Sequence, residues 1–151
     1  IKSEKRYRAI AGLSMGGGGS FIYALRHPDM FSSACPLSGN MGKLSYNEFY
    51  ESNEEKLKKY RREKVFNYYS NHNALSIIQN QTDENLKSVG WYIDCGDNDF
   101  LYEGNSLVHI ALKKRGVPHE YRVRDGAHNW TYWRSALPEV LSFVSDRFHQ
   151  K

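Results

Sequence analysis

Cysteine is scarce in this chain. Two among 151 residues cannot staple a small fold with disulfides, and Cys35 and Cys95 match no zinc-ligand spacing. Long apolar runs are missing too: none approaches the ~20 residues that a membrane-spanning helix needs, so no membrane span is expected. Charge of one sign does not dominate. The 21 Lys and Arg against 17 Asp and Glu leave a net +4, which permits anionic partners without demanding one. Internal repeats and low-complexity linkers are absent as well. What remains is an ordinary globular composition, 40% apolar and 25% charged, at a length that suits one domain.

Strand-like and helix-like segments alternate, which predicts an α/β fold with a mainly parallel sheet. The chain opens on Ile1 and enters a buried-strand pattern almost at once, at Arg8-Ala9-Ile10-Ala11. We therefore expect it to be the C-terminal portion of a larger domain, its N-terminal portion missing or carried as a separate chain. Strands are expected at Tyr7–Ala11, Ser33–Leu37, Trp91–Cys95 and His119–Val123. Helices are expected from Gly17 to Arg26, Asn73 to Asn80 and Leu101 to Arg115, with a polar loop from Gln81 to Ser88. In a final helix Leu137, Leu141, Val144 and Phe148 fall on one face, with Pro138 in the first turn. Residues 43–72 are charged and tyrosine-rich and predict a helical insertion within the single domain.

Gly12-Leu13-Ser14-Met15-Gly16 is a G-x-S-x-G turn between a strand and a helix, the context in which that motif carries chemistry. Such a turn strains the serine and exposes its hydroxyl at the end of the sheet. The residues two before and two after it crowd each other, so both are expected to be glycine. The following helix aims its N-terminus and the Met15 amide at a developing oxyanion. Gly17, Gly18 and Gly19 are expected to let that helix pack closely on the strands. No lysine follows these glycines, which excludes a phosphate-binding P-loop. Phe21 stands where the third glycine of a dinucleotide fingerprint would fall.

A serine is inert at pH 7 until a base takes its proton, and the base needs a carboxylate to orient it. His128 stands beside Gly126 on the turn between the last strand and the last helix, where such a base is expected. The other histidines, His27, His72, His109, His119 and His149, read as structural or solvated. Three carboxylates follow or end the third strand. Asp94 lies within the strand, Asp97 fits a turn cap, and Asp99 comes just before the helix on the loop that can reach the histidine. A calcium loop fails, because Leu101 occupies what would be a ligand position. No metal or cofactor is expected.

Gly-Leu-Ser-Met-Gly-Gly at 12–17, His27-Pro28-Asp29-Met30-Phe31, Pro36-Leu37-Ser38-Gly39, Cys95-Gly96-x-x-Asp99 and Gly126-x-His128-x-Trp130-x-x-Trp133 together resemble the esterase D family of α/β-hydrolases. The likeness runs over essentially the whole chain and is nearest to feruloyl and acetyl xylan esterases. It implies the C-terminal portion of an α/β-hydrolase fold, with Ser14 as nucleophile, Asp99 as acid and His128 as base. The substrate implied is a small ester or an acylated polysaccharide such as feruloylated xylan, cleaved through an acyl-enzyme, and the location implied is secreted or periplasmic. Thioesterases of the S-formylglutathione hydrolase type and acyl transferases of the same family are the rival chemistries. A non-catalytic carbohydrate-binding or scaffold domain is the rival of another class. Against the family pattern, the strands upstream of the nucleophile and the second oxyanion amide are not in this chain, and the 43–72 insertion is longer than many relatives carry.

The insertion's charge run, 54–64, reads most simply as a solvated helix, and its interleaved acids argue against nucleic-acid binding. Tyr46, Tyr50, Tyr60, Tyr68 and Tyr69 on such a lid could stack on an aromatic acyl group or a sugar ring. Trp130 is expected to wall the substrate pocket and Trp133 to sit in the core. Cys35 and Cys95, on neighbouring strands, are expected as buried thiols.

Overall fold

The computed structural model describes residues 2–149; Ile1, on which the expectation of an upstream portion partly rests, lies outside them. Four strands form one sheet in the order β1 (Ala9–Leu13), β2 (Ser33–Leu37), β3 (Gly90–Gly96), β4 (His119–Arg124), and every pairing is parallel. Parallel neighbours need crossovers, and helices supply them. Helix α1 (Met15–Arg26) joins β1 to β2. A run of short helices joins β2 to β3: α2 (Tyr46–Ser52), α3 (Glu54–Leu57), α4 (Arg62–His72), α5 (Ala74–Asn80) and α6 (Asp83–Lys87). Helix α7 (Tyr102–Lys114) follows β3, and α8 (Trp130–His149) follows β4. Among the described residues, no helix is long and apolar enough to cross a membrane.

The two faces of the sheet are covered differently. On one, Phe21 and Leu25 of α1, Ile78 of α5, and Val108 and Leu112 of α7 close over Trp91 and Ile93. On the other, α8 packs Trp133, Ala136 and Val140 against Cys35, Leu37 and Tyr92. The middle strands β2 and β3 are buried along their whole length, as parallel strands between helical layers are. Pro36 sits inside β2 without an N–H to donate, and the β2–β3 register is interrupted at Cys35 and Pro36.

Several local expectations change. The first strand starts at Ala9, because Lys5–Tyr7 closes a 3₁₀ turn. The stretch read as a polar loop holds α6: the Thr82 side chain caps the Asn85 amide, acids open the helix, and buried Leu86 anchors it. Helix α8 starts at Trp130, capped by the Asn129 carboxamide on the Tyr132 amide, so Pro138 lies inside the helix and not in its first turn. Its core stripe is Tyr132, Trp133, Ala136 and Val140, while Leu137 and Leu141 face outward.

Residues 43–72 contain α2, α3 and α4. The Ser45–Glu48 capping box starts α2. Tyr46 then packs edge-on against Phe66 and Tyr69, centroids 5.0 and 5.6 Å away, which fastens α2 to α4. Four of the five tyrosines of this stretch make ring contacts, Tyr46, Tyr50 and Tyr69 among themselves and Tyr68 stacked on His72 at 4.2 Å, while Tyr60 and the outer face of Tyr68 remain exposed. The charge run is solvated and carries the ion pairs Lys58–Glu55 and Arg61–Glu63.

Candidate active site

Ser14 sits between β1 and α1 with φ 55° and ψ −121°, a conformation that costs a non-glycine residue energy. Its surroundings enforce it. The Ser14 amide donates to Leu37 O, and its carbonyl accepts from the Gly18 and Asn40 amides. A Cβ on Gly12 would lie 2.3 Å from Gly16 O, so glycine is obligatory there. The crowding is one-sided, however: a Cβ on Gly16 would meet nothing within 4 Å. Gly17 and Gly18 approach Leu37 and Asn40 too closely for any side chain, whereas Gly19 faces open space and plays no part in the close packing.

Residues far apart in sequence converge on the serine. His128 Nε2 lies 2.8 Å from Ser14 Oγ, and His128 Nδ1 lies 3.0 and 2.9 Å from Asp99 Oδ1 and Oδ2. With Nδ1–H donating to the carboxylate, Nε2 is left to accept the serine hydroxyl proton. Asp99 is 1% exposed, its Oδ1 also accepts the Leu101 amide, and its own amide donates to Gly96 O. The imidazole stands between two rings: Trp133 meets it edge-on at 4.9 Å and 85°, and Phe100 at 4.6 Å. Trp133 is itself fixed, since its Nε1–H donates to Ser38 Oγ at 3.0 Å. Ser38 is fully buried, has φ 46°, and its amide donates to Asp94 O.

The other two acids have different positions. Asp97 Oδ1 accepts the Gly126 amide at 3.0 Å, stapling the β3–α7 turn to the loop that carries His128. Asp94 is buried beneath that loop among Tyr92, Arg124 and Tyr132. Met15 opens α1, so its amide is one of the helix donors without an acceptor inside the helix. Trp130 is 60% exposed, packs edge-on against Trp133 at 5.4 Å, and lines neither of the two cavities that border residues 40–44. Phe100, 72% exposed and set against His128, is a pocket-lining residue that the sequence reading missed. The one sequence signal for it is that it follows Asp99 directly. A cavity of ≈ 260 Å³ separates Phe100 and Leu101 from Asn40, Lys43 and Leu44. A second, of ≈ 240 Å³, shares the Asn40–Leu44 wall and extends to Tyr68 and His72 of α4. Buried Cys35 and Cys95 are both free thiols, pushed up to about 12 by desolvation, with Glu120 and Asp99 respectively adding to the effect.

The Esterase family profile, described as "Putative esterase", matches residues 1–144. A solved ferulic acid esterase is 38% identical, with a TM-score of 0.77 over 97% of this chain and 53% of that one. The S-formylglutathione hydrolase of Staphylococcus aureus is 26% identical, with a TM-score of 0.72 over 95% of this chain and 53% of that one. An acetyl esterase of Caldicellulosiruptor saccharolyticus is 26% identical over 95% of this chain and 56% of its own length. The chain therefore spans about half the length of these relatives.

Proposed function

This chain belongs to the Esterase family, and on that footing we propose that it is a serine carboxylester hydrolase acting through Ser14, His128 and Asp99. The observation that carries the reading is the continuous hydrogen-bonded run from Ser14 Oγ through His128 to buried Asp99. In this scheme Ser14 Oγ attacks the ester carbonyl as His128 Nε2 takes its proton, and Asp99 holds the imidazolium that forms. The Met15 N–H meets the oxyanion, where each preorganised donor is worth on the order of 10²–10³ in rate. Collapse of the tetrahedral intermediate expels the alcohol with the proton from His128 and leaves an acyl-Ser14. Water, deprotonated by His128, then releases the acid.

For the substrate we favour feruloyl and related aryl-acyl esters of plant polysaccharide. The 38% identity to a ferulic acid esterase supports this, and so does exposed Phe100 beside the imidazole, which suits a flat aromatic ring. Trp130 belongs to the same proposal as a contact at the outer edge of the site, as does a secreted location for an enzyme acting on polysaccharide. The complementary portion of the domain belongs to it as well, given that the chain spans about half of its relatives. A second reading, an acetyl esterase, rests on the acetyl esterase relative.

The test is hydrolysis of methyl ferulate, an aryl acetate and an S-formyl thioester by the wild-type protein and by Ser14→Ala. Faster turnover of the ferulate, with a loss on the order of 10⁶ in kcat for Ser14→Ala, is the expected result. Preference for the acetate or the thioester would overturn the substrate assignment. Wild-type rates in Ser14→Ala would overturn the mechanism.

A further inference from the structure

The end of β3 carries a fully buried carboxylate that the proposed chemistry does not use. Asp94 Oδ1 accepts the Tyr132 hydroxyl at 2.5 Å, and its Oδ2 faces Arg124 Nη2 and, at 3.1 Å, the Tyr92 hydroxyl. Arg124 Nη1 continues to Glu139 Oε1 at 2.6 Å, and Tyr92 Oη also lies 3.2 Å from Glu139 Oε2. Taking a charged pair out of water is costly, and apolar residues of similar volume usually serve stability as well. The position of this network suggests what it holds.

Tyr132 is in the first turn of α8, four residues after His128, and Arg124 ends β4, four residues before it. Between them the chain passes Gly126, at φ 152°, so close under the Tyr132 ring that a Cβ there would lie 2.4 Å from it. Gly126 is tied to the neighbouring turn on both sides, its amide to Asp97 and its carbonyl to the Asn98 amide. Asp94 thus grips both ends of the segment that presents the imidazole. Its hydrogen bonds go to Tyr92, Arg124 and Tyr132, while His128 Nδ1 is engaged by Asp99.

We propose that Asp94 is a positioning residue: through Tyr132 and Arg124 it fixes the end of β4 and the first turn of α8, and so sets the point from which His128 reaches Ser14. The proposal rests on the serine-hydrolase reading for its kinetic consequence, though its geometric content can be read without turnover. Sub-ångström placement matters here, because a displacement of about 1 Å at a catalytic group can cost on the order of 10² in rate.

The test compares Asp94→Asn with Tyr132→Phe, which removes one hydroxyl and keeps the ring over Gly126. Both are assayed for kcat and KM and for the downfield Nδ1 proton resonance of carboxylate-bound His128. The expected result is a kcat lower by about 10- to 100-fold with KM within about twofold, and a shifted or lost His128 resonance. The double variant should be no worse than the weaker single, since both act through one path. If Asp94→Asn does not fold, Tyr132→Phe carries the test. Wild-type kcat and an unchanged resonance in folded Tyr132→Phe, with only a lower Tm, would overturn the proposal. A wild-type protein that hydrolyses no ester would sink the serine-hydrolase reading alone, and the resonance would still decide the role of Asp94.

Discussion

Both carboxylate oxygens of Asp99 lie within 3.0 Å of His128 Nδ1, and the carboxylate is closed off from solvent. An acid so placed fixes the tautomer: Nδ1 keeps the proton and Nε2 stays open toward Ser14. Asp99→Asn preserves the shape but can present an N–H to Nδ1, which favours the wrong tautomer. We expect kcat to fall on the order of 10⁴ with KM little changed, measured on the best ester substrate. Asp97→Asn should leave kcat within about tenfold, because that side chain only staples two loops. An Asp97→Asn loss as deep as that of Asp99→Asn would contradict the assignment.

The glycines around Ser14 give a sharper contrast. A methyl group on Gly12 would press on Gly16 O at 2.3 Å, and backbone cannot move aside as a flexible side chain can. Gly12→Ala should cost about 1–3 kcal/mol or more and displace the Ser14 hydroxyl. Gly16 lies inside α1 with open space where its Cβ would be. Gly16→Ala should therefore stabilise by up to about 1 kcal/mol, from helix propensity and a stiffer unfolded chain. Denaturant midpoints of the two variants check the pair. Equal destabilisation by both would show that the crowding is mutual.

What could be read in advance follows from how local each signal is. The Ser14 turn and His128 are legible because strand, turn and helix signals surround each within a few residues. Asp99 is harder: three acids lie within six residues, and its place on the loop before the helix favours it only weakly until the Gly-x-x-Asp motif resemblance is added. The role of Asp94 is not legible, because Arg124 and Tyr132 stand 30 and 38 residues away and meet it only when β3, β4 and α8 are assembled. The core face of α8 misleads for another reason. Its apolar residues can be joined into two stripes, and which one is buried depends on how the helix lies on Cys35, Leu37 and Tyr92. Helix α6 hides because one apolar side chain, Leu86, anchors it between polar neighbours.

Cys35 and Cys95 should be inert in the native protein. Burial raises both thiols to about 12, so near neutral pH they stay protonated and unreactive behind a packed surface. A disulfide-exchange reagent should label neither in the folded protein and both after denaturation. Rapid native labelling of either thiol would show an opening of the β2–β3 core that the packing does not suggest.

His109 gives a pH dependence of stability separate from the candidate site. His119 Nδ1–H donates to Val117 O at 2.7 Å, so its Nε2 accepts from His109 Nδ1–H at 2.8 Å. His109 also stacks on Tyr121, whose hydroxyl meets Ser106. Desolvation, followed by His119 and Lys113, holds the His109 pKa below its ordinary 6.5. As pH falls through 6.5, the unfolded chain therefore takes a proton at this position that the native state still refuses. Stability is lost from that point down to the folded-state pKa, below which both states carry the proton and the loss levels off. His109→Phe keeps a ring on Tyr121 and removes the titration, so its Tm should fall less steeply than that of the wild type as pH drops below 6.5. Parallel Tm–pH curves for the two proteins would show that His109 titrates alike in the folded and unfolded chain.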